Sequence, residues 1–366
     1  MESLGKWLAE ATEELSSGGR WIVVAYSALP GEPTAVKVLL GATRFLGRIL
    51  GDLRNAYPDL IFHLGRAVPD TLVDKVAAER SDCRLHSLSH PSLNWADVEH
   101  RKLVSQQLSR RSPRFWRSRG VGLLDISGFS TLPAPTQIGL RLLLDLAITQ
   151  ARTNLRKNLP PDHVVSFHRV SSGDGYYLWN RIPGPYADAI TFALLTLVMA
   201  LVRGRERELP DLRLRAAYTV GEMYTFPYEG LWAESPVDGG LEDAIGPALN
   251  IAARLCTAAV PDQLLVSAFG VSADPDKGQY RDPLTLLTFV KGLFPNPKTP
   301  VDLALEPARE LRVVDKHGDV YHCYNVHGRG FYFTGPTPRE HEVGLAEDSA
   351  PLIDDYAFRR LTTGAF

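Results

Sequence analysis

The sequence predicts a chain of two parts, a small α/β domain followed by a larger α+β domain with a mainly antiparallel sheet. Two patterns predict this. Over 21–88, short apolar, β-branched runs alternate with helical stretches, the order expected of a parallel α/β unit. Beyond 120, glycine-centred hairpins alternate with long helices, the pattern of an α+β sandwich. The boundaries drawn from these shifts are 1–100 for a small α/β domain whose role is not readable, 101–119 for a basic linker, 120–330 for the α+β domain and 331–366 for a C-terminal tail.

In the first part, residues 1–16 read as a helix stopped by Gly18-Gly19. WIVVAYS (21–27) reads as a buried strand, and 33–56 carries helical spacing from Ala35 through Leu39, Leu46 and Leu50 to Leu53. LIFHLG (60–65) reads as a second strand, PDTLVDKVAAER (69–80) as a helix and CRLHSL (83–88) as a third strand. This part contains neither GxGxxG nor GxxxxGK(S/T), so a regulatory or docking module is its default reading. Residues 89–119 connect the parts. Within them, 101–119 hold seven basic residues and no acid, a solvated face or a local attractor for a polyanion.

In the second part, GVGLLDI (120–126) reads as a strand and 136–155 as an amphipathic helix. Residues 163–180 form a strand, a Gly-Asp-Gly turn and a returning strand. Residues 185–203 form an apolar helix whose longest apolar run, AITFALLTLVMALV, has 14 residues; a bilayer span needs about 20, so this is a buried core helix. Residues 212–223 read as a strand pair or one bent strand, 248–259 as a helix, 263–269 as a strand and 310–326 as a closing hairpin around His317-Gly318. The segments 224–240 and 271–306 read as inserts, either surface loops or parts of a lid.

Composition narrows the function classes. Of 366 residues, 45% are hydrophobic and 22% charged, with a net charge of −2, which makes no global case for nucleic acid or membrane as a partner. Cys83, Cys256 and Cys323 are few, scattered and odd in number, so they form no disulfide framework or zinc site and suit a reducing cytoplasm. The acidic, amphipathic N-terminus does not read as a signal peptide.

Chemistry concentrates in the second part. Asp125 ends an apolar strand, where a carboxylate is costly unless a cation meets it. Asp174 sits at a hairpin tip between Gly173 and Gly175, which let backbone approach a ligand closely. Two acids on neighbouring strand ends can converge on Mg2+ or Mn2+, which favour a few carboxylates plus phosphate oxygens. Taken alone, such acids are commonplace and mostly surface turn formers. Asn250 and Arg254, four apart, share one face of a helix amid small apolar residues. An arginine there anchors an ion pair or faces a phosphate, whose oxygens match its planar fork.

LLDISGF (123–129), SSGDGYYL (171–178), LRAAYTVGE (214–222) and DAIGPALNIAARL (243–255) resemble the four signature blocks of class III nucleotidyl cyclases, in the family's order and roughly its spacing, over about 119–330. The resemblance implies a ferredoxin-like cyclase domain that works as a homodimer on a nucleoside triphosphate. It implies that Asp125, Asp174 and the Ile126 carbonyl hold two Mg2+ or Mn2+ ions, and that the backbone of Ser127, Gly128 and Phe129 cradles the triphosphate. Asn250 would orient the ribose and Arg254 would stabilise charge on the α-phosphate. Lys316, in the closing hairpin, is the nearest match to a lysine that touches the triphosphate. The product would be a 3′,5′-cyclic nucleotide, with pyrophosphate released. The family's third-block glycine is replaced here by Ala217.

Base choice departs from the family's purine pattern. Adenylate cyclases of the family carry a lysine three residues before the glycine of the Gly-Asp pair, and an aspartate seven before the catalytic asparagine. Here these positions are Val170 and Asp243. Asp243 suits an exocyclic amine, whereas Val170 donates nothing. Arg169 should point to the opposite face of a regular strand. The loss opens a resemblance to the pyrimidine (uridylate or cytidylate) cyclases of bacterial anti-phage signalling. The alternatives are an atypical adenylate cyclase, an inactive nucleotide-binding regulator with the same fold, or a two-metal polymerase or phosphatase; the Asn250/Arg254 pair argues against the last two classes.

Overall fold

The computed structural model describes residues 2–15, 21–57, 60, 63–109, 112–160, 163, 165–203, 212–227, 242–269, 283–293, 301–305, 311–315, 317–333 and 338–343. The chain divides into two compact units, one made of 1–117 with 224–244 and the other of 118–223 with 245–366.

The first unit is built on α1 (Glu2–Leu15), β1 (Trp21–Leu29), β2 (Glu32–Ala42), α2 (Leu46–Ala56), α3 (Asp70–Glu79), β3 (Cys83–Ser89) and α4 (Val98–Ser109). Its sheet has the order β1–β2–β3 and both pairs are antiparallel, which corrects the parallel reading. The stretch read as one helix over 33–56 is β2 followed by the shorter α2. The overlooked signal is Pro30-Gly31. Gly31 has φ 78° and Leu29 pairs with Glu32, so a tight turn returns the chain directly.

The misreading has a physical cause. Val23, Val36, Val38 and Leu40 pack against Leu4, Leu8, Val104 and Leu108 of α1 and α4. Val24, Ala25 and Leu39 pack against Ile49, Leu53, Val73 and Val76 of α2 and α3. A strand buried on both faces loses its alternation and reads like a parallel strand, whatever its partner's direction. Residues 60–65, expected as a strand, form none among the described residues. The described part of 60–65 turns tightly, with Leu60 N–H donating to Tyr57 O at 3.0 Å and His63 N–H to Leu60 O at 2.9 Å. The run alongside β1 comes a few residues later, where Val68 N–H donates to Tyr26 O at 2.8 Å.

Among its polar anchors, Asp82 is 6% exposed and accepts from Arg48 at 2.8 Å and from Arg80 Nη2 at 2.9 Å. The basic stretch 101–119 contributes most of α4 and the first residues of β4 (Arg114–Ile126).

The second unit holds the rest: the end of β4, α5 (Ala134–Asn158), β5 (Phe167–Ser171), β6 (Gly175–Asn180), α6 (Pro185–Arg203), β7 (Leu214–Pro227), β8 (Glu242–Ile245), α7 (Pro247–Ala258), β9 (Leu264–Ser267), α8 (Pro283–Leu293), β10 (Val301–Leu305), β11 (Leu311–Val314), β12 (Val320–Phe333) and β13 (Pro338–Val343). β7 and β8 lie partly in the first unit's share of the chain. Strand order is β10–β12–β9–β7–β4–β6–β5. The run β4–α5–β5–β6–α6–β7, with order β7–β4–β6–β5, is the split βαβ arrangement of ferredoxin-like folds. The segment read as a strand pair or bent strand over 212–223 is the single strand β7. Parts of the two inserts and of the tail lie outside the described residues; α8, β10 and β13 are their described elements.

One face of this sheet carries Leu124, Ile126, Tyr176, Leu178, Ala216 and Tyr218 into a core closed by α5 and α6. α6 is long and apolar enough to cross a membrane, yet 89% of its apolar window is buried inside the protein, so it is the core helix the composition suggested. The β4–β6 register pairs Asp125 with Gly175. A Cβ on Gly175 would sit 1.8 Å from Leu124 O and 2.8 Å from Asp125 Cα, so glycine is required there by contact.

Two variants test these contacts. Gly175→Ala should destabilise the second unit by at least about 2 kcal/mol through overpacking. Gly139→Ala, in mid-helix with nothing within 4 Å of the added methyl, should stabilise it by about 0.5–1 kcal/mol; denaturant titration compares them. Asp82 gives a pH prediction. Burial raises its carboxyl, but the hydrogen bonds from Arg80 and Arg48 outweigh that and hold it below the usual range. A depressed folded value means the contribution is complete well above the unfolded value of about 3.9 and is lost as pH falls through it. Asp82→Asn should therefore cost about 3 kcal/mol at pH 7 and flatten the acid limb of a stability-versus-pH curve.

Candidate active site

Alternation along β4 decides where Asp125 points. Leu124 and Ile126 enter the helix-covered core, so Asp125, only 5% exposed, belongs to the other face. Arg215 on β7 meets it there, with Nε donating to Asp125 Oδ2 at 2.5 Å. The remaining reach of Arg215 is to Thr257 O, 3.4 Å from Nη1. Asp174 sits in the β5–β6 turn; its carbonyl accepts the Ile126 N–H at 3.2 Å, and its carboxyl is within hydrogen-bonding reach of Asp125. The two acids expected to converge are thus brought together.

The turn that presents Asp174 is clamped from α5. Arg141 Nη1 donates to Gly173 O at 3.2 Å and Gly175 O at 2.6 Å, Nη2 donates to Ser171 Oγ at 2.9 Å, and the guanidinium lies 3.5 Å from the centre of the Tyr176 ring. Gly173 itself has φ 98°, open to glycine without strain. Neither Arg141 nor Arg215 was legible in the sequence. Their partners lie 30 to 90 positions away and no local motif links them.

Burial first, and then the neighbouring Asp174 carboxyl, push Asp125 up to about 6 against the pull of Arg215. Two acids face one guanidinium, so the site lacks positive charge. Burial, then the charge of Asp125, holds the Cys256 thiol protonated. Burial, then Cys256 and Asp125, raises the Tyr177 phenol. Neither group serves as a nucleophile or base near neutrality.

A hard divalent cation fits these donors. Two carboxylates and the Ile126 carbonyl are oxygen ligands of the kind Mg2+ and Mn2+ take. Among the described residues, no group of three or more His, Cys, Asp or Glu gathers to hold a metal. The buried Ser127 hydroxyl beside them has no hydrogen-bond partner, an orphan that a ligand would satisfy.

The backbone expected to cradle phosphate is partly spent within the chain. Ser127 N–H already donates to Arg213 O at 2.8 Å, which leaves Ser127 its hydroxyl. Gly128, at φ 73°, turns the chain into the short helix 129–131; the Gly128 and Phe129 N–H groups meet no acceptor among the described residues. Asn250 and Arg254 lie one turn apart on α7, with Asn250 exposed. Arg254 Nε faces Asp315 Oδ2 at 3.3 Å, and no described contact joins it to Asp125 or Asp174 of the same chain.

The β5–β6 register pairs Val170 with Tyr177, and β4–β6 pairs Tyr177 with Leu123, so Val170 shares the Asp125 face. Arg169 points the other way, to Asp145 of α5 at 2.7 Å and over the Tyr176 ring. No bulge re-aims it. Asp243 falls in the first unit's share of the chain and accepts the Ala244 N–H at 2.8 Å. Lys316 lies outside the described residues. Cys83, Cys256 and Cys323 are buried and form no disulfide among the described residues.

No family model matches the chain, and no curated protein matches it. Solved structures do show similarity. The guanylate cyclase domain of RhGC from Catenaria anguillulae in complex with GTP is 12% identical, over 59% of this chain and 98% of that one, with a TM-score of 0.38. The adenylyl cyclase CyaB from P. aeruginosa is 15% identical, over 58% and 95%, with a TM-score of 0.37. The guanylyl cyclase Cya2 is 14% identical, over 63% and 98%, with a TM-score of 0.36. At this level of likeness the functional reading rests on the residues of the site.

Proposed function

We propose that the chain is a nucleotidyl cyclase that converts a nucleoside triphosphate to a 3′,5′-cyclic monophosphate and pyrophosphate. The observation that carries this is the carboxylate pair, buried Asp125 with the partly exposed Asp174, at a strand end beside an unsatisfied serine hydroxyl. Asp125, Asp174 and the Ile126 carbonyl would hold divalent ions, whose charge offsets that of the triphosphate and lowers the pKa of the 3′ hydroxyl.

The chain's own groups divide the remaining work. Gly128 and Phe129 N–H and the Ser127 hydroxyl bind phosphate oxygens. Arg215, whose Nε faces Asp125, would offer its terminal amino groups to phosphate oxygens. Asn250 holds the ribose so that O3′ lines up with the α-phosphorus. The O3′–P bond forms, the bridging P–O bond to the β-phosphate breaks, pyrophosphate leaves and the hydroxyl proton passes to water. Arg254 stabilises the charge that grows on the α-phosphate oxygens.

Arg254 keeps to Asp315 within its own chain, which supports a homodimer in which one chain supplies the carboxylates and the other Asn250 and Arg254. A pyrimidine base is favoured because Val170 shares the Asp125 face while Arg169 is committed to Asp145, so the position offers no cationic donor. Asp243 is the acceptor that the resemblance supplies for an exocyclic amine.

With Mn2+ and each of four nucleoside triphosphates, Asp125→Ala and Asp174→Ala should each lower kcat by more than about 100-fold, the loss of several kcal/mol of charge stabilisation. Full turnover in either variant would sink the assignment. Mixing Asp125→Ala with Arg254→Ala protein should restore part of the activity; a fully active monomer would contradict the shared site. For base choice, kcat/KM should be highest for UTP or CTP and should shift towards ATP in Val170→Lys. A tenfold preference of the wild type for ATP, about 1.4 kcal/mol, would make it an unusual adenylate cyclase instead.

A further inference from the structure

The β11–β12 turn carries an acid whose surroundings are built more tightly than a surface turn requires. Asp315 is 7% exposed. Its Oδ1 accepts the N–H of His317 at 2.8 Å and of Asp319 at 3.1 Å, and its own N–H donates to Asp319 O at 3.0 Å. These bonds fix the carboxylate within its own turn. Oδ2 is left to face α7, where Arg254 Nε stands 3.3 Å away. The Tyr321 hydroxyl is at 3.5 Å from the same oxygen.

We infer that Asp315 is a positioning residue for Arg254: it holds the guanidinium by Nε so that the two terminal amino groups face the substrate already oriented. This rests on the cyclase reading above. Three observations carry it. The closest approach is an ion pair at the inner nitrogen of the fork, and no hydrogen bond joins the terminal nitrogens to the described residues. Arg254 is 39% exposed at its side chain while Asp315 is 3% exposed, so the anchor is buried and the tip is open. An arginine has many rotamers, and one fixed before the substrate arrives loses less on meeting an oxyanion. Burial raises the Asp315 carboxyl, but the two backbone donors and then Arg254 hold it below the usual carboxylate range, so it stays charged for this task.

The test uses the full chain. Asp315→Asn keeps the Oδ1 acceptor for His317 and Asp319 and removes the charge facing Arg254, so the turn should fold with an unchanged melting temperature. Expected is a tenfold or greater fall in kcat with KM changed less than twofold, partial recovery in Asp315→Glu, and no further loss when Asp315→Asn is added to Arg254→Ala. Wild-type kcat in Asp315→Asn, a rise in kcat, or losses that simply add in the double variant would each overturn the inference. A readout free of turnover is the Nε–H resonance of Arg254 in 15N-arginine-labelled protein, assigned by its loss in Arg254→Lys. It should be protected from exchange in the wild type and not in Asp315→Asn, and equal protection in both would overturn the inference as well. If the wild type cyclises no nucleotide, the cyclase reading fails by itself, and the resonance still decides whether Asp315 fixes Arg254.

Discussion

The pairing of Asp125 with Arg215 is the contact on which the second unit's polar face depends. The last part of β4, Gly120 to Leu124, is apolar, and a carboxylate at its end would be expelled without a cation. Arg215 comes from β7, the neighbouring strand in the sheet, so the charge pair also records which strands lie side by side. Breaking a buried pair is costlier than never having had one. The pair is nevertheless incomplete, because Asp174 brings a second acid to the same guanidinium. A protein that only needed stability at this point would carry one acid or none. The unbalanced charge is the physical reason for reading the place as a receptor for cations rather than as a structural ion pair.

Backbone, more than side chains, sets the position of the second acid. The Asp174 carbonyl is tied to Ile126 N–H, the turn residues are gripped by Arg141, and Ser127 N–H is spent on Arg213 O. Of these anchors, Ile126 ends β4 and Arg141 stands on α5, so the turn that holds Asp174 is tied to rigid elements. Arg141 also lies over Tyr176, whose ring faces the helix side of the sheet, so the packing of α5 and the geometry of the turn share one side chain.

Legibility followed the range of the interactions. The second unit's elements were readable because their signals are local: the Gly-Asp-Gly turn, the Pro185–Arg203 apolar run and the hairpin about His317-Gly318 all recur as structure. The first unit misled because burial on both faces erases the alternation that separates antiparallel from parallel strands, while a two-residue Pro-Gly turn marked the hairpin and was outweighed by helical spacing. In the candidate site, Asp125 announces itself as an acid ending an apolar run and Asp174 as an acid between two turn glycines. Arg141, Arg215 and Asp315 do not, because each gains its meaning only from a partner that folding brings to it.

Gly175 adds a consequence beyond fitting its neighbours. Strand pairing tolerates sliding, and a slip of a single residue between β4 and β6 would turn every side chain to the wrong side, sending the Asp125 carboxylate into the helix-covered core. Only the position opposite Asp125 is free of a Cβ at the point where Leu124 O crowds β6. Any shifted alignment would push Asp174 or Tyr176 into that gap, and neither fits. The missing side chain therefore acts as a key that admits one alignment and rejects the adjacent ones, and the separation between the two acids is inherited from that choice.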